Sequence, residues 1–167
     1  YDVNSSSISS SVMENGGAPL TQVIVRDDPV SIRQVLVDAA KEADIILTSG
    51  STSAGAGDII YNVLDELGPP GILAHGLTVK PGKPTIVAVV RGRPVIGLPG
   101  YPTSALMIFN LMVVSIIRRM AGLPEGGEHP PLEAKVAVKI FSVKGRRELL
   151  PVQVVSSKGG RLVYPVG

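Results

Sequence analysis

Apolar positions in this 167-residue chain fall in short blocks separated by Gly, Pro and Ser/Thr, and the spacing changes along the chain. From Ser5 to Asn15, Ile8, Val12 and Met13 lie near one face and Gly16-Gly17 follow, which predicts a short helix with a stop. Thr21 to Val25 reads as a strand. Asp28-Pro29 supplies an N-cap with proline at the first helical position, and Ile32, Val35, Leu36 and Ala39 form the inward stripe to about Glu42. Ile45-Ile46-Leu47 is apolar throughout, as in a strand covered on both faces. Asp58 is placed to cap a helix running to Leu67, with Ile59, Ile60, Val63, Leu64 and Leu67 inward and Gly68-Pro69-Pro70-Gly71 as its break. Strands are predicted at Ile72 to Val79, Thr85 to Val90 and Pro94 to Leu98, the last two joined at Arg91-Gly92-Arg93. Ser104 to Ala121 is the most apolar helix and is expected on the sheet or at a subunit contact.

Beyond Gly122 the pattern changes. A stretch rich in Gly, Pro and Glu reads as a linker over 123–131. Val136, Val138 and Ile140 then alternate with Lys135 and Lys139, and strands are predicted again at Leu149 to Val155 and Leu162 to Val166. The expected organisation is an α/β domain over 1–122, a linker over 123–131, and part of a small all-β domain over 132–167. The strand–helix order of the first part predicts a three-layer αβα fold with a mostly parallel sheet and its site at the carboxyl ends of the strands. The chain begins at Tyr1 in what reads as mid-domain sequence, so a longer parent protein is expected.

Composition narrows the function classes. The chain is 44% hydrophobic and 18% charged, which favours a buried-sheet globular protein over disorder. A net charge of +2, no Lys/Arg stripe and 4% aromatics give no nucleic-acid footprint. There is no cysteine, which excludes disulfides, zinc–thiolate sites and a thiolate nucleophile. His75 and His129 are too few for a histidine-rich metal site. No secretory signal is visible, and the apolar run Ala105 to Ile117 falls short of the roughly 20 residues of a membrane span. A cytoplasmic protein without a membrane or nucleic-acid partner is expected.

Three segments carry candidate chemistry. In Thr48 to Gly57, nearly every residue is Gly, Ser, Thr or Ala, between a buried strand and a helix. Glycine permits close backbone approach there, so backbone N–H groups and hydroxyls can surround an anionic or pterin-like ligand. The loop is neither a Walker loop nor a dinucleotide fingerprint, and its bland alternative is a turn plus helix cap. In the second segment, Lys80 and Lys83 flank the Pro81-Gly82 turn, so both ammonium groups can face one anion. A solvated surface pair is the alternative, but the flanking strands put the turn at the sheet edge and favour phosphate contact. In the third, Gly97-Leu98-Pro99-Gly100-Tyr101-Pro102-Thr103-Ser104 opens a strand into a helix N-terminus, which suits an oxyanion. Asp27, Asp28 and Asp58 stand where caps are expected and also follow strand ends. Capping, and holding Mg²⁺ on a phosphate or an oxyanion-bearing metal through water, both stay open for them. His75 is expected to be packed or hydrogen-bonded, and Arg118-Arg119 to be helix C-terminal charges.

Together these segments resemble the molybdopterin molybdotransferase family, MoeA and the gephyrin E domain. The carriers are Thr48 to Asp58, Lys80 to Pro84 and Gly97 to Ala105 in order, with Asp2-x-Asn4 and Arg26-Asp27-Asp28-Pro29 before them. The resemblance covers roughly Tyr1 to Gly122, and the β tail fits the family's C-terminal domain. It implies molybdenum cofactor biosynthesis: binding of adenylylated molybdopterin, insertion of molybdate, and Mg²⁺-dependent release of AMP, by a homodimer. Carried over by position, Asp27, Asp58 and Lys80 are catalytic candidates, with Asp27 and Asp58 as ligands for magnesium or molybdate. The implied ligand-binding residues are Thr48, Ser49, Gly50, Ser51, Ser53, Gly55, Lys80, Pro81, Gly82, Lys83, Pro99, Gly100, Tyr101, Pro102 and Ser104. Ser51, Ala56 and Tyr101 depart from the usual glycine, acidic residue and asparagine; Tyr101 would narrow the pocket or stack on a ligand ring. Two other readings stay open: a non-catalytic molybdopterin- or molybdate-binding regulatory module, and an adenylyltransferase or nucleotide pyrophosphatase on the same fold.

Overall fold

The computed structural model describes residues 2–50, 57–124 and 131–166, leaving aside the side chains of Gly57 and Asp58. Helix α1 (Val3–Glu14) is capped by Asp2, whose carboxylate accepts the Ser5 N–H at 3.0 Å. Helix α2 (Pro29–Glu42) is capped by Asp28, which accepts from the backbone of Val30 and Ser31. Both caps satisfy N–H groups that the first helical turn leaves unpaired. Strand β1 (Ile46–Ser49), helix α3 (Gly57–Glu66) and strands β2 (Gly71–His75), β3 (Val79–Lys80), β4 (Ile86–Val90) and β5 (Arg93–Leu98) follow. The long helix then runs as α4 (Pro102–Ile108), a π-helical turn (Phe109–Val113) and α5 (Val114–Met120). The tail forms β6 (Lys135–Val136), β7 (Arg147–Glu148), β8 (Val152–Ser157) and β9 (Gly160–Pro165).

The central sheet has the order β1-β5-β4-β2. Alternation along the strands divides its two faces. On one face, Ile46, Ile86, Ala88, Val90 and Val95 meet Ile32, Leu36 and Ala40 of α2 and Ile60, Val63 and Leu64 of α3. On the other, Ile96 and Leu98 meet Ile8 of α1 and Ala105, Ile108, Phe109, Val113 and Ile117 of the long helix. Helix, sheet, helix is the three-layer αβα arrangement expected from the sequence. That helix spans 19 residues and is apolar enough to cross a membrane by length and composition. In the fold its Ala105, Ile108, Phe109 and Val113 are fully buried in the core.

Several local expectations need correction. The sheet is mixed: β1 and β5 are parallel, but β5–β4 and β4–β2 are antiparallel, where a mostly parallel sheet was expected. The cause is the connection, since Arg91 (φ +51) and Gly92 (φ +80) close a two-residue hairpin and leave no room for a crossover. Thr21 to Val25 pairs with no strand among the described residues, and Ile24 is 86% exposed. The single strand predicted over Ile72 to Val79 breaks at Gly76, whose N–H donates to the Thr85 carbonyl while Leu77 N–H donates to that of Lys83. Met13 faces solvent, while Ile8 is buried. His75 is exposed, with its ring centroid 4.9 Å from that of Tyr61. In the tail the predicted run to Ile140 shortens to β6, and β7 precedes the strand expected from Leu149.

Candidate functional site

Strand register gathers one rim. Ser49 pairs with Leu98, Ile86 with Gly97 and His75 with Ile86, so the carboxyl ends of β1, β5 and β2 share an edge with the start of β4. The loops carrying Thr48–Gly50, Lys80–Pro84 and Pro99–Ser104 therefore leave the sheet at the same end.

Specific contacts then tie the loops together. Asn4, in the first turn of α1, donates from Nδ2 to Ser49 Oγ at 2.7 Å and to the Gly100 carbonyl at 2.8 Å. Ser49 Oγ also donates toward the Pro99 carbonyl at 3.4 Å. The two loops touch through their backbones: a Cβ on Gly100 would lie 3.3 Å from Gly50 Cα. On the other side, a Cβ on Gly82 would stand 2.2 Å from Ile108 Cδ1, so only glycine lets the Lys80–Pro84 loop lie on the long helix. Between these loops is a cavity of about 470 Å³ lined by Gly82, Pro84, Pro99, Gly100, Tyr101, Pro102 and Ser104. Its lining is mostly proline, glycine and one aromatic ring. Tyr101 is 82% exposed.

The charged candidates are placed differently. Lys80 ends β3, and its ammonium lies 2.9 Å from Oε1 of Glu148 on β7, with the carboxylate side chain 11% exposed and the lysine 57%. Backbone bonds hold this junction: Arg147 N–H donates to the Thr78 carbonyl at 3.0 Å and Leu149 N–H to that of Lys80 at 2.8 Å. The Lys80 ammonium holds the Glu148 carboxyl below the usual carboxylate range. Lys83 is exposed and Pro81 half-buried; neither they nor Lys80 line the cavity. Asp27 is exposed, also off the cavity lining. Asp28 is committed to the α2 cap, and the Ser31 hydroxyl and N–H keep its carboxyl below the usual range. Asp58 lies in the first turn of α3, but its side chain is outside the described residues, as are Ser51, Ser53 and Gly55. Thr48 Oγ1, Asn4 Oδ1 and Glu148 Oε2 are buried without a hydrogen-bond partner among the described residues. Among the described residues, no three His, Asp or Glu side chains gather as a metal-binding group.

Two members of this constellation were not picked out as site residues from the sequence. Asn4 acts through contacts to residues 45 and 96 positions away, and no local spacing reveals such a bridge. Glu148 sits in a tail read as a separate unit, and only the β3–β7 pairing brings it to Lys80.

Residues 1–119 match a family described as a probable molybdopterin binding domain. The chain is 34% identical over 138 residues to a molybdopterin molybdenumtransferase of Nostoc sp., covering 81% of this chain and 31% of that protein. It is 30% identical over 152 residues to molybdopterin molybdenumtransferase 2 of Mycobacterium tuberculosis, covering 89% of this chain and 37% of that one. The chain thus spans about a third of the length of these relatives. Among solved structures, a molybdopterin biosynthesis MoeA protein from Pyrococcus horikoshii superposes with a TM-score of 0.80 at 36% identity, over 99% of this chain and 39% of that one.

Proposed function

The chain belongs to the probable molybdopterin-binding domain family, and on that footing we propose that it binds adenylylated molybdopterin and serves molybdate insertion with release of AMP. The observation that carries this reading is the meeting of the Gly82–Pro84 and Pro99–Ser104 loops around one cavity at the sheet rim, with Ser49 and Gly50, which do not line it, tied to the second loop through Asn4 and Gly100. In this scheme the cavity holds the organic part of the ligand. Lys80 and Lys83 neutralise its anionic part, and Asp27 and Asp58 handle molybdate or Mg²⁺. Two carboxylates are a hard-oxygen donor set suited to Mg²⁺, which commonly takes one or two carboxylates and completes its shell with water and substrate phosphate. Bound there, Mg²⁺ would supply charge neutralisation at the phosphate. The chain's own groups do the rest: Asn4 locks Ser49 to Gly100 and so fixes the mouth of the cavity, while the prolines give it apolar walls. The segment from 132 onward is proposed as the opening of a β domain, and the parent protein as a cytoplasmic homodimer.

One observation favours a second reading. The Lys80 ammonium is engaged by Glu148 and does not line the cavity, as suits a module that binds the pterin without turnover. Measuring AMP release from adenylylated molybdopterin with and without molybdate, in the full-length parent, decides between them. Molybdate-dependent AMP release in the parent, lost on Asp58→Asn with ligand binding retained, supports the catalytic reading. Asn caps a helix about as well as Asp, so that variant should keep its stability within about 1 kcal/mol. Binding without molybdate-dependent release, in both proteins, supports the module.

A further inference from the structure

We propose that Tyr101 is the stacking platform for a flat heteroaromatic ring, and so a specificity-determining residue of the rim cavity; this rests on the molybdopterin-binding reading. Its backbone is held on every side. Pro99 and Pro102 flank it, Asn4 Nδ2 holds the Gly100 carbonyl at 2.8 Å, and its own carbonyl accepts the Ala105 N–H at 2.8 Å. Yet Tyr101 is 82% exposed at the cavity edge.

Among the described residues the ring has no structural duty there. Tyr101 occupies the N-cap position of α4, with φ −71° and ψ 126°, but makes no side-chain cap bond. Ser, Thr, Asp or Asn at that position would satisfy a free N–H of the first turn. Tyr gives up the cap and buries little of itself in return.

The cavity beside it fits a ring better than a phosphate. Its lining is glycine, proline and Tyr101 with a single aliphatic hydroxyl, from Ser104, and the neighbouring lysines are absent from it. Its volume of about 470 Å³ accommodates a bicyclic heterocycle. An aromatic ring on a fixed backbone loses only two side-chain torsions when it stacks, so little ordering opposes binding. The ring's source is either the pterin or the adenine of an adenylylated ligand, and both present the same flat π face.

The test titrates this chain with pterin (2-amino-4-oxopteridine) and, separately, with AMP, following hypochromism of each ring's absorption band. Tyr101→Phe should bind within about twofold of the parent. Tyr101→Ala should weaken one of the two probes by roughly 5- to 150-fold, the range of a base-on-aromatic stack. Tyr101→Leu keeps apolar bulk and should retain part of the affinity while losing the hypochromism. The probe affected identifies which ring the tyrosine carries. If the parent binds a ring and Tyr101→Ala binds it equally well, the stacking role is overturned and the molybdopterin-binding reading stands. If the parent binds neither ring, both fall. The exposed position makes misfolding of these variants readable as a separate change in thermal midpoint.

Discussion

Gly82→Ala gives a stability test that reports directly on how the Lys80–Pro84 loop is seated. Gly82 has φ +109°, and the new methyl would lie 2.2 Å from Ile108 Cδ1 and 2.5 Å from its Cγ1. Ile108 is fully buried between the sheet and the loop, so it has little room to retreat. Two costs combine: backbone strain of about 1–3 kcal/mol and overpacking of roughly 1–3 kcal/mol. At about 2–4 °C per kcal/mol for a chain of this size, the thermal midpoint should fall by roughly 5–20 °C. Gly92→Ala is the control, because its φ is +80° but nothing lies within 4 Å of its added Cβ. It should show only the backbone part, about 1–2 kcal/mol. Ile108→Val removes the nearer clashing atom, Cδ1, keeps the Cγ1 contact at 2.5 Å, and should cost about 0.5–1.5 kcal/mol alone. In the Gly82→Ala background the same change relieves only part of the overlap, so it should cost less than it does alone, a coupling on the order of 0.5–3 kcal/mol. The measurement is equilibrium denaturation of the four proteins of the cycle and of Gly92→Ala. Additive effects of Gly82→Ala and Ile108→Val, or equal losses for Gly82→Ala and Gly92→Ala, would refute the close packing of this loop on the helix.

Two predictions concern the junction of Lys80 and Glu148. If Lys80 contacts an oxyanion of the ligand, Lys80→Ala should weaken molybdate binding by roughly 1.5–3 kcal/mol, as for a hydrogen bond between charged groups. Lys80→Arg should rescue only partly, because a planar fork replaces a point charge; calorimetric titration with molybdate checks both, and unchanged affinity in the alanine variant returns Lys80 to a tether for the tail. The second concerns acid. The folded state holds the Glu148 carboxyl below its usual range, so its contribution to stability is fully present above the unfolded value and disappears as pH falls through the depressed folded one. The Leu149 amide, bonded to the Lys80 carbonyl, should show that loss as an acid-induced NMR shift, and Glu148→Gln should abolish the transition.

The local parts of this protein could be read along the chain because their causes are local. The Asp28-Pro29 start of α2 and the stripes Ile32–Leu36 and Ile60–Val63–Leu64 follow from capping chemistry and helical spacing, which need no distant partner. The glycine- and proline-rich segments at the rim were likewise visible, since a chain that must turn sharply after a buried strand declares it in residue type. What the fold alone decided is pairing. Thr21 to Val25 has strand-forming residues but pairs with no strand among the described residues, and the two-residue turn at Arg91-Gly92 made β4 and β5 antiparallel. Register brought the loops to one end of the sheet, and Asn4 and Glu148 entered the site across 96 and 68 residues of chain. A hydrogen bond between residues so far apart leaves no periodicity in the sequence. Its geometry exists only once the layers have packed.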